Sequence, residues 1–553
     1  MRILAFNAAH DGSVCSLHNG KIEFFCKEER LVKIKRASDP FKSLELYNSL
    51  NFGKINHILY HTPSNYEAGP LPLYRVYIHR KFNIEMENYS ALSHHKCHAA
   101  LAYYNSGFKN ALVFVVDRNG SIFFINNKNV ARESESVFIC NQDIKPIYKN
   151  FWNIPTQEMN RQQILDKITA YYRDCKIDVK SNLGIVNVYE AATTLIGQNS
   201  LENGKTMGLS AYGKHVDKDR LFINGSPITN RFIHLNDGTF NFLNGLPHGD
   251  QTTCFYKEKS RITKQITTNN YPYYADKAKL VQIETQREVG NLIKEYVKKT
   301  GINNICVAGG YGLNVVANQY YLKTIPDVNF YFEPVADDTG ISVGAAMLKW
   351  KEVTKTKPFP VKNNFYHYYK KENIKIPGKK TTILEVCKLL EKKKSVAIFD
   401  GNPEAGPRAL GHRSILFDAR VKNGKDIINK IKKREWYRPF AGVILKKFLY
   451  KHFTKLPIKE SPYMTVNFHC KTPSLFPAIV HKDDTSRLQT VERGELFKIL
   501  SLFNKRNKCP ILLNTSLNLA GQPLVHNVND AINILKNSKL DAIYFVQQKK
   551  LLR

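Results

Sequence analysis

The chain has 553 residues, enough for two or three domains, and hydrophobic residues make up 43% of it, so each domain can bury a core. Lysine and arginine total 82 against 48 acidic residues, a net charge of +34 at neutral pH, which draws in polyanions. No run approaches eighteen consecutive apolar residues, which excludes a simple transmembrane helix, and the ten cysteines include no C-x-x-C pair, which argues against a zinc ribbon or a disulfide framework.

The opening MRILAFNAAHDGS turns polar after six residues, too early for a secretory leader. It therefore reads as a first β-strand in a cytoplasmic protein (the host cytoplasm, if the source is viral). SVCSLHNG and KIEFFCKE continue a β-meander. The turn AAHDGS is built to point backbone N–H groups at a phosphate, with His10 and Ser13 as added donors. In SHHKCHAALAYYNSGF, His94 and His98 are four apart and share one helix face, as a metal requires, although core helices also carry such pairs. The strand LVFVVD ends at Asp117, a candidate third ligand, and Asn119-Gly120 predicts a hairpin with SIFFINN. GKTMGLSAYGK offers Lys205 to a substrate phosphate. ETQREVGNLIKEYVKK has helical periodicity over 284–299 and stops at Gly301. AGGYGLNVVAN follows a strand and opens a helix, so Gly309, Gly310 and Gly312 permit close approach of a phosphate, yet it is neither a P-loop nor G-x-G-x-x-G. EPVADDTG adds Asp337 and Asp338. Two His plus carboxylates suit Fe2+, Mn2+ or Zn2+.

Between Lys349 and Lys380 ten lysines face two glutamates and periodicity is lost. The predicted organisation is an α/β domain over 1–350, a basic linker over 351–380 and a second α/β domain over 381–553. In the second, PEAGPRALGHRSILFDAR and KIKKREWYRPFAG bring Arg408, His412, Arg413, Arg420, Lys432, Arg434 and Arg438 together among glycines and prolines. Such a rigid, arginine-rich loop fits phosphate better than a solvated lysine face does. His481, Arg487, Asn514, Ser516 and Asn518 follow as further polar candidates. No solenoid repeat is visible.

These stretches, with EERLVKIK and DTSRLQTV, run in order along nearly the whole chain and resemble the O-carbamoyltransferases of the nodulation-factor and antibiotic-tailoring group. The N-terminal part is similar to the actin-like ATPase (ASKHA) fold half of the tRNA threonylcarbamoyl transferases. The C-terminal part resembles their smaller α/β, threonylcarbamoyl-AMP-synthase-like partner, which forms carbamoyl-adenylate. The resemblance implies that carbamoyl phosphate and ATP, accompanied by Mg2+, give carbamoyl-adenylate, and that a metal centre then passes the carbamoyl group to a hydroxyl. It implies a divalent metal, Fe2+ foremost, on His94, His98, Asp117 and Asp338. His10, with Asp11 beside it, would serve the transferring group, and Gly309, Gly310 and Asn314 the adenylate. Arg408, Arg413, Lys432, Arg438 and Arg487 would grip carbamoyl phosphate and the triphosphate, with Asn514 and Ser516 nearby. It leaves room for a homodimer. Departures, such as His412 where Asn is frequent and Leu517 where Phe is common, are conservative.

Family membership does not fix the acceptor. Sugars and antibiotics need no basic field, whereas +34, YHYYKK, REWYR and KKFLYKHF point to nucleic acid, foremost 5-hydroxymethylcytosine in DNA. A lysine- and asparagine-rich composition is the bland source of the same charge. A small-molecule hydroxyl is the main alternative, a tRNA nucleoside a lesser one. A non-catalytic nucleic-acid-binding scaffold is disfavoured by the full Arg and His sets.

Overall fold

The computed structural model describes residues 1–63, 71–88, 94–125, 128–153, 160–181, 183–214, 220–234, 239–242, 266, 269–361 and 376–553. Much of the predicted 351–380 linker, including YHYYKK, lies outside them. The molecule is α/β, with three principal sheets.

In the first sheet, Arg2–Asn7 pairs antiparallel with Ser13–His18, which pairs antiparallel with Lys21–Lys27. On its other side Arg2–Asn7 runs parallel to His57–His61, and that strand parallel to Met86–Asn88. The second sheet repeats the plan. Ala111–Val116 is antiparallel to Lys128–Cys140, which is antiparallel to Ile144–Asn153. Ala111–Val116 is also parallel to Asn304–Ala308, which is parallel to Asn329–Phe332. Two halves with one strand order, first three strands antiparallel and the last two parallel to the central one, form the duplicated plan of an actin-like ATPase fold.

In each half a helix follows the fifth strand: His94–Ser106 and Ile341–Thr354. Both pack between the sheets and against each other. His94–Ser106 is buried almost all round from His94 to Tyr104, as a helix with the second sheet on one side and the helix Ile341–Thr354 on the other must be. The two backbones nearly touch, since a Cβ on Gly344 would lie 2.0 Å from the Cys97 carbonyl oxygen.

Two sequence expectations change. Ile122–Ile125 does not form a hairpin with Ala111–Val116; it pairs with Lys128–Cys140 on the other side of the turn. The chain after Val116 is instead drawn inward, with Asp117 bonded through its N–H to the Ser134 carbonyl (2.9 Å) and Gly120 to that of Glu133 (2.7 Å). The helix predicted over 284–299 spans Tyr271–Thr300, starting at a proline in its first turn, where the missing N–H costs nothing, and ending on Gly301 at φ 69°.

The third sheet belongs to the C-terminal part. It has nine strands, with Val396–Phe399, Arg413–Asp418, Ile511–Ser516, Ala441–Leu445 and Thr485–Val491 at its middle and Asn467–His469 at one edge. Helices Ile383–Glu391 and Gly494–Asn507 pack together over it. Nine cysteines among the described residues are free and buried. Among the described residues no helix is long and apolar enough to cross a membrane.

Candidate active site

The duplication decides where side chains meet. The first strand of one half ends in the His10–Asp11 turn, and the first strand of the other ends in Asp117. His94 opens the helix after one half; Asp338 precedes the helix after the other. His94, His98, Asp117 and Asp338 are all buried, and each offers a ligand atom within 4.8 Å of the others'. His94 Nε2 lies 3.4 Å from Asp117 Oδ2 and 3.6 Å from Asp338 Oδ1; His98 Nε2 lies 3.6 Å from each.

These gaps are long for charge-assisted hydrogen bonds. They match the edges of a coordination shell, because ligands about 2.0–2.2 Å from a common centre stand roughly 3.3–3.6 Å apart at tetrahedral angles. His98 Nε2 and Nδ1 and His94 Nδ1 are buried without a hydrogen-bond partner. Burial disfavours charge on His94, yet Asp338 and Asp117 outweigh it and raise its pKa to about 10. Burial works against both carboxylates as well, but their positive neighbours hold Asp117 and Asp338 below the usual range. A buried set this hungry for positive charge fits a divalent cation, which would take the place of the protons.

Beneath the helix a second polar group fixes its angle. His95 Nδ1 contacts Ser136 Oγ at 2.8 Å and Glu133 Oε1 at 3.5 Å, and Glu133 is ion-paired to Lys149. All four residues are buried. Gly120 is small for this reason, since a Cβ there would sit 2.5 Å from His95 Nε2.

A cavity of about 450 Å3 opens beside the cluster. His10, Asp11, Asp117 and Asp338 line it, as do Gly310, Asn314, Lys205, Arg408, Arg438, Arg487, Asn514 and Ser516. His10 bridges Asp338 (3.3 Å) and Asp11 (3.2 Å), and Asp11 pairs with buried Lys27 at 2.6 Å. Asn314 caps the helix Val315–Thr324 through Ala317 N–H and is held by Gln282, which in turn accepts from Tyr189. Lys205 is ion-paired to Glu202 and Glu435, both at 2.8 Å.

The far wall is cationic and poor in acid. Burial lowers the pKa of Arg408 to about 10, with Arg438 adding to the effect against Asp337. Burial and then Arg408, Arg434 and Arg438 push Arg487 well down, and its Nε has no partner. Arg408 itself donates only to the Leu313 carbonyl, at 3.2 Å, among its resolved bonds. Arg438 has Glu435 at 3.4 Å, which Lys205 shares, so the crowded guanidinium groups outnumber their counter-charges, an arrangement that suits an anionic ligand.

Four expected ligand-binding residues stand elsewhere. Arg413 is fully buried, stacks 3.6 Å over Phe399 and spends its guanidinium on the carbonyls of Asp400, Gly401, His412 and His526. Ser13 Oγ turns inward to Ser342 Oγ (2.8 Å) and the Thr339 carbonyl (3.0 Å). Lys432 sits behind the wall, bonded to Ser516 and to Asn518 Oδ1 at 2.8 Å. Gly309 is a glycine because a Cβ would meet the Val116 carbonyl at 2.5 Å. In the other direction, Lys27, Arg30, Lys35 and Arg36 line the cavity unanticipated, although EERLVKIK, which carries Arg30 and Lys35, is among the family-like stretches. Buried His61, whose ring centroid is 5.2 Å from that of His94, was also missed; a lone histidine in a strand gives no signal.

Fold and site together describe an α/β protein with an imidazole–carboxylate cluster beside a cavity that is lined on another side by arginines. The chain belongs to the carbamoyltransferase family: the family described as Carbamoyltransferase N-terminus matches residues 56–347, and Carbamoyltransferase C-terminus matches 387–550. It is similar to nodulation protein NolNO of Sinorhizobium fredii, 26% identical over 97% of this chain and 78% of that protein. An uncharacterized protein of Methanocaldococcus jannaschii is 26% identical over 98% of both chains. Nodulation protein U of S. fredii is 34% identical over 40% of this chain and 41% of its own. Among solved structures, full-length HypF in the phosphate- and nucleotide-bound form aligns with 65% of this chain and 47% of its own at 11% identity and TM-score 0.37. That likeness is too distant to define the fold, which rests on the strand order.

Proposed function

We propose that the enzyme transfers a carbamoyl group in two steps within this cavity, and that the acceptor is the hydroxymethyl group of 5-hydroxymethylcytosine in DNA. The observation that carries the two-step reading is the single cavity with two chemistries, His10 and the Asp117/Asp338 carboxylates on one wall and Arg408, Arg438 and Arg487 on another.

In the first step the arginines hold the phosphate of carbamoyl phosphate and the triphosphate of ATP, which brings Mg2+ with it. Water splits carbamoyl phosphate to carbamate and phosphate. A carbamate oxygen then attacks the α-phosphorus and pyrophosphate leaves, giving carbamoyl-adenylate. Arginine forks suit this work because they bind phosphate oxygens in pairs and stay charged where burial lowers their pKa. Gly310 N–H and Asn314 are at the wall that would take the adenylate.

In the second step the acceptor hydroxyl attacks the carbamoyl carbon and AMP leaves. His94, His98, Asp117 and Asp338 would hold a divalent cation, Fe2+ foremost with Mn2+ or Zn2+ as alternatives, and its contribution is Lewis-acid polarisation of the acyl oxygen. Asp338 raises the pKa of His10 to about 9, so with both carboxylates free the ring is an imidazolium. With the Asp338 charge spent on the cation, half-exposed His10 would take the hydroxyl proton on Nε2, and Asp11 at Nδ1 would steady the imidazolium that forms.

The DNA acceptor is supported by charge. Residues 379–553 contain 34 lysines and arginines against 14 acidic residues, so the smaller domain supplies more than half of the net +34. The test is incubation with carbamoyl phosphate, ATP and a hydroxymethylated duplex, then digestion to nucleosides and mass spectrometry. A carbamoyl mass gain on 5-hydroxymethyl-2′-deoxycytidine is expected. If the duplex stays unmodified while carbamoyl-dependent pyrophosphate release proceeds, the acceptor is a small-molecule hydroxyl instead.

A further inference from the structure

The basic-aromatic run KKFLYKHF at 446–453 has no part in the chemistry above. It folds against the edge strand of the C-terminal sheet. Phe453 bridges Cys470, Thr454 N–H donates to the His469 carbonyl (2.9 Å), and Lys471 N–H donates to that of His452 (2.9 Å). Lys471 Nζ reaches back to the Tyr450 carbonyl at 2.7 Å. These bonds gather Lys447, Lys451, Lys455 and Lys471 with His452 and His469 into one surface.

That surface has no internal neutralisation. Lys446 beside it is ion-paired to Glu460 (2.5 Å) and Glu492 (3.1 Å). Lys447, Lys451, Lys455 and Lys471 are exposed and, among the described residues, have no ion pair. The half-buried Phe448 ring lies between two of them, 5.3 Å from Lys447 Nζ and 5.8 Å from Lys451 Nζ.

Its position ties it to the cavity. Asn467 opens the edge strand and lines the cavity, and its partners Arg487, Ser486 and Thr485 line it too. His469 is exposed two residues further along, and a strand advances about 3.4 Å per residue, so the patch begins roughly 7 Å from the cavity wall. A ligand of repeated negative charge lying on the patch would pass the cavity within reach of an everted nucleotide.

We infer that Lys447, Lys451, Lys455 and Lys471 form a docking surface for the phosphate backbone of the acceptor nucleic acid, beside the cavity that its modified base enters. This rests on the nucleic-acid reading of the acceptor. A compact neutral acceptor has no use for four unpaired cations outside the cavity; a duplex gains from each one.

The test compares the wild-type chain with the quadruple variant Lys447→Gln/Lys451→Gln/Lys455→Gln/Lys471→Gln. Fluorescence anisotropy measures binding to a hydroxymethylated duplex between about 50 and 200 mM salt. Each lost phosphate contact flattens the slope of log K against log salt by about 0.9, so the variant's slope is expected to be shallower by roughly 3 to 4. KM for duplex carbamoylation should rise at least about tenfold, while pyrophosphate release and carbamoylation of free hydroxymethyl nucleoside stay at wild-type level. Equal slopes and equal duplex KM would overturn the inference and leave the acceptor reading intact. A wild-type enzyme that releases pyrophosphate but modifies neither duplex nor nucleoside overturns the acceptor reading itself. Preference for an acidic peptide over the duplex, lost in the variant, would reassign the patch to a protein partner and refute the inference.

Discussion

Gly344→Ala tests the geometry that builds the catalytic centre. Gly344 lies inside the helix Ile341–Thr354, where alanine is intrinsically better than glycine by about 1 kcal/mol. Its Cβ, however, would lie 2.0 Å from the Cys97 carbonyl oxygen and 2.7 Å from the carbonyl carbon. Both are backbone atoms of the partner helix, so no rotamer change relieves the clash. The helices must separate by about 1 Å or more, at an overpacking cost of about 1–3 kcal/mol and upward. The clash wins, with a net loss of about 2 kcal/mol, or a fall in melting temperature of roughly 2–4 °C for a domain of about 350 residues. Because His98 is one residue from Cys97 and Asp338 precedes the helix that moves, transfer should fall far more than stability does. On the proposed two-step reaction, pyrophosphate release would depend on the arginine wall and should persist. Differential scanning calorimetry, metal content by mass spectrometry and the two activity assays read these effects. Gly204→Ala is the matched control, a helical glycine with nothing within 4 Å of its Cβ, and should not lower the melting temperature. An unchanged melting temperature and full transfer activity in Gly344→Ala would refute the close-packed arrangement of the two helices.

Three further outcomes are expected. Lys149→Met strands Glu133 in the interior and should cost about 3–5 kcal/mol, measured by denaturant unfolding, with Glu133→Gln/Lys149→Met recovering part of it. Burial works to raise the pKa of Glu133, but His95 and Lys149 outweigh it and hold it at about 2, below its ordinary 4.5. Its stabilisation is therefore present above pH 4.5 and lost as pH falls toward 2, and a pH series of melting temperatures should show that loss in the wild type and not in the double variant. His98→Ala should abolish transfer by at least about a hundredfold and empty the metal centre while leaving carbamoyl-dependent pyrophosphate release; equal loss of both activities would dissociate the centre from the transfer step. Arg408→Ala should remove pyrophosphate release with little loss of stability, because burial of this guanidinium is costly and is only partly offset by Asp337, with Arg438 adding to the cost. A large drop in melting temperature would mark it as structural.

The sequence was most legible where chemistry and spacing are local. His94 and His98 are on one helix face, Asn314 opens a helix, and Gly301 ends one, all as their neighbours in the chain dictate. The family motifs led to the arginine wall because Gly-Pro breaks exclude a solvated helix. What stayed hidden depends on contacts between distant segments. Ser13 is claimed by Thr339 and Ser342, more than three hundred positions away, so an apparent phosphate donor is a packing residue. Arg413 reads like Arg408 in sequence; only the fold shows four carbonyls taking its guanidinium and a phenyl ring beneath it. The Asn119-Gly120 turn predicted a local hairpin, but pairing of Ala111–Val116 with Lys128–Cys140 won, and the turn was freed to carry Asp117 inward. The duplication escaped notice because it lives in strand order, with no motif common to both halves.

That duplication accounts for the character of the centre. Equivalent helices, each following the fifth strand of its half, converge between the sheets, so ligands from both halves meet where their first turns approach. Helix N-termini favour carboxylate and disfavour imidazolium. Asp338 just ahead of one helix is thus biased toward the anionic carboxylate that binds a cation. At His94 the two carboxylates overcome burial and the helix terminus and raise its pKa to about 10, and a cation would replace that proton. The arginine wall has the opposite environment, with cations in excess of the carboxylate that pairs with Arg438 and Lys205, Glu435. Asp11, Asp337 and Asp338 line the same cavity, and the charge of Asp337 acts on Arg408 and on Lys27. Without that negative charge, guanidinium groups and a divalent cation sharing one cavity would weaken each other. Replacing Asp337 with Asn should therefore loosen both metal retention and the grip on carbamoyl phosphate, a coupling that neither centre alone would produce.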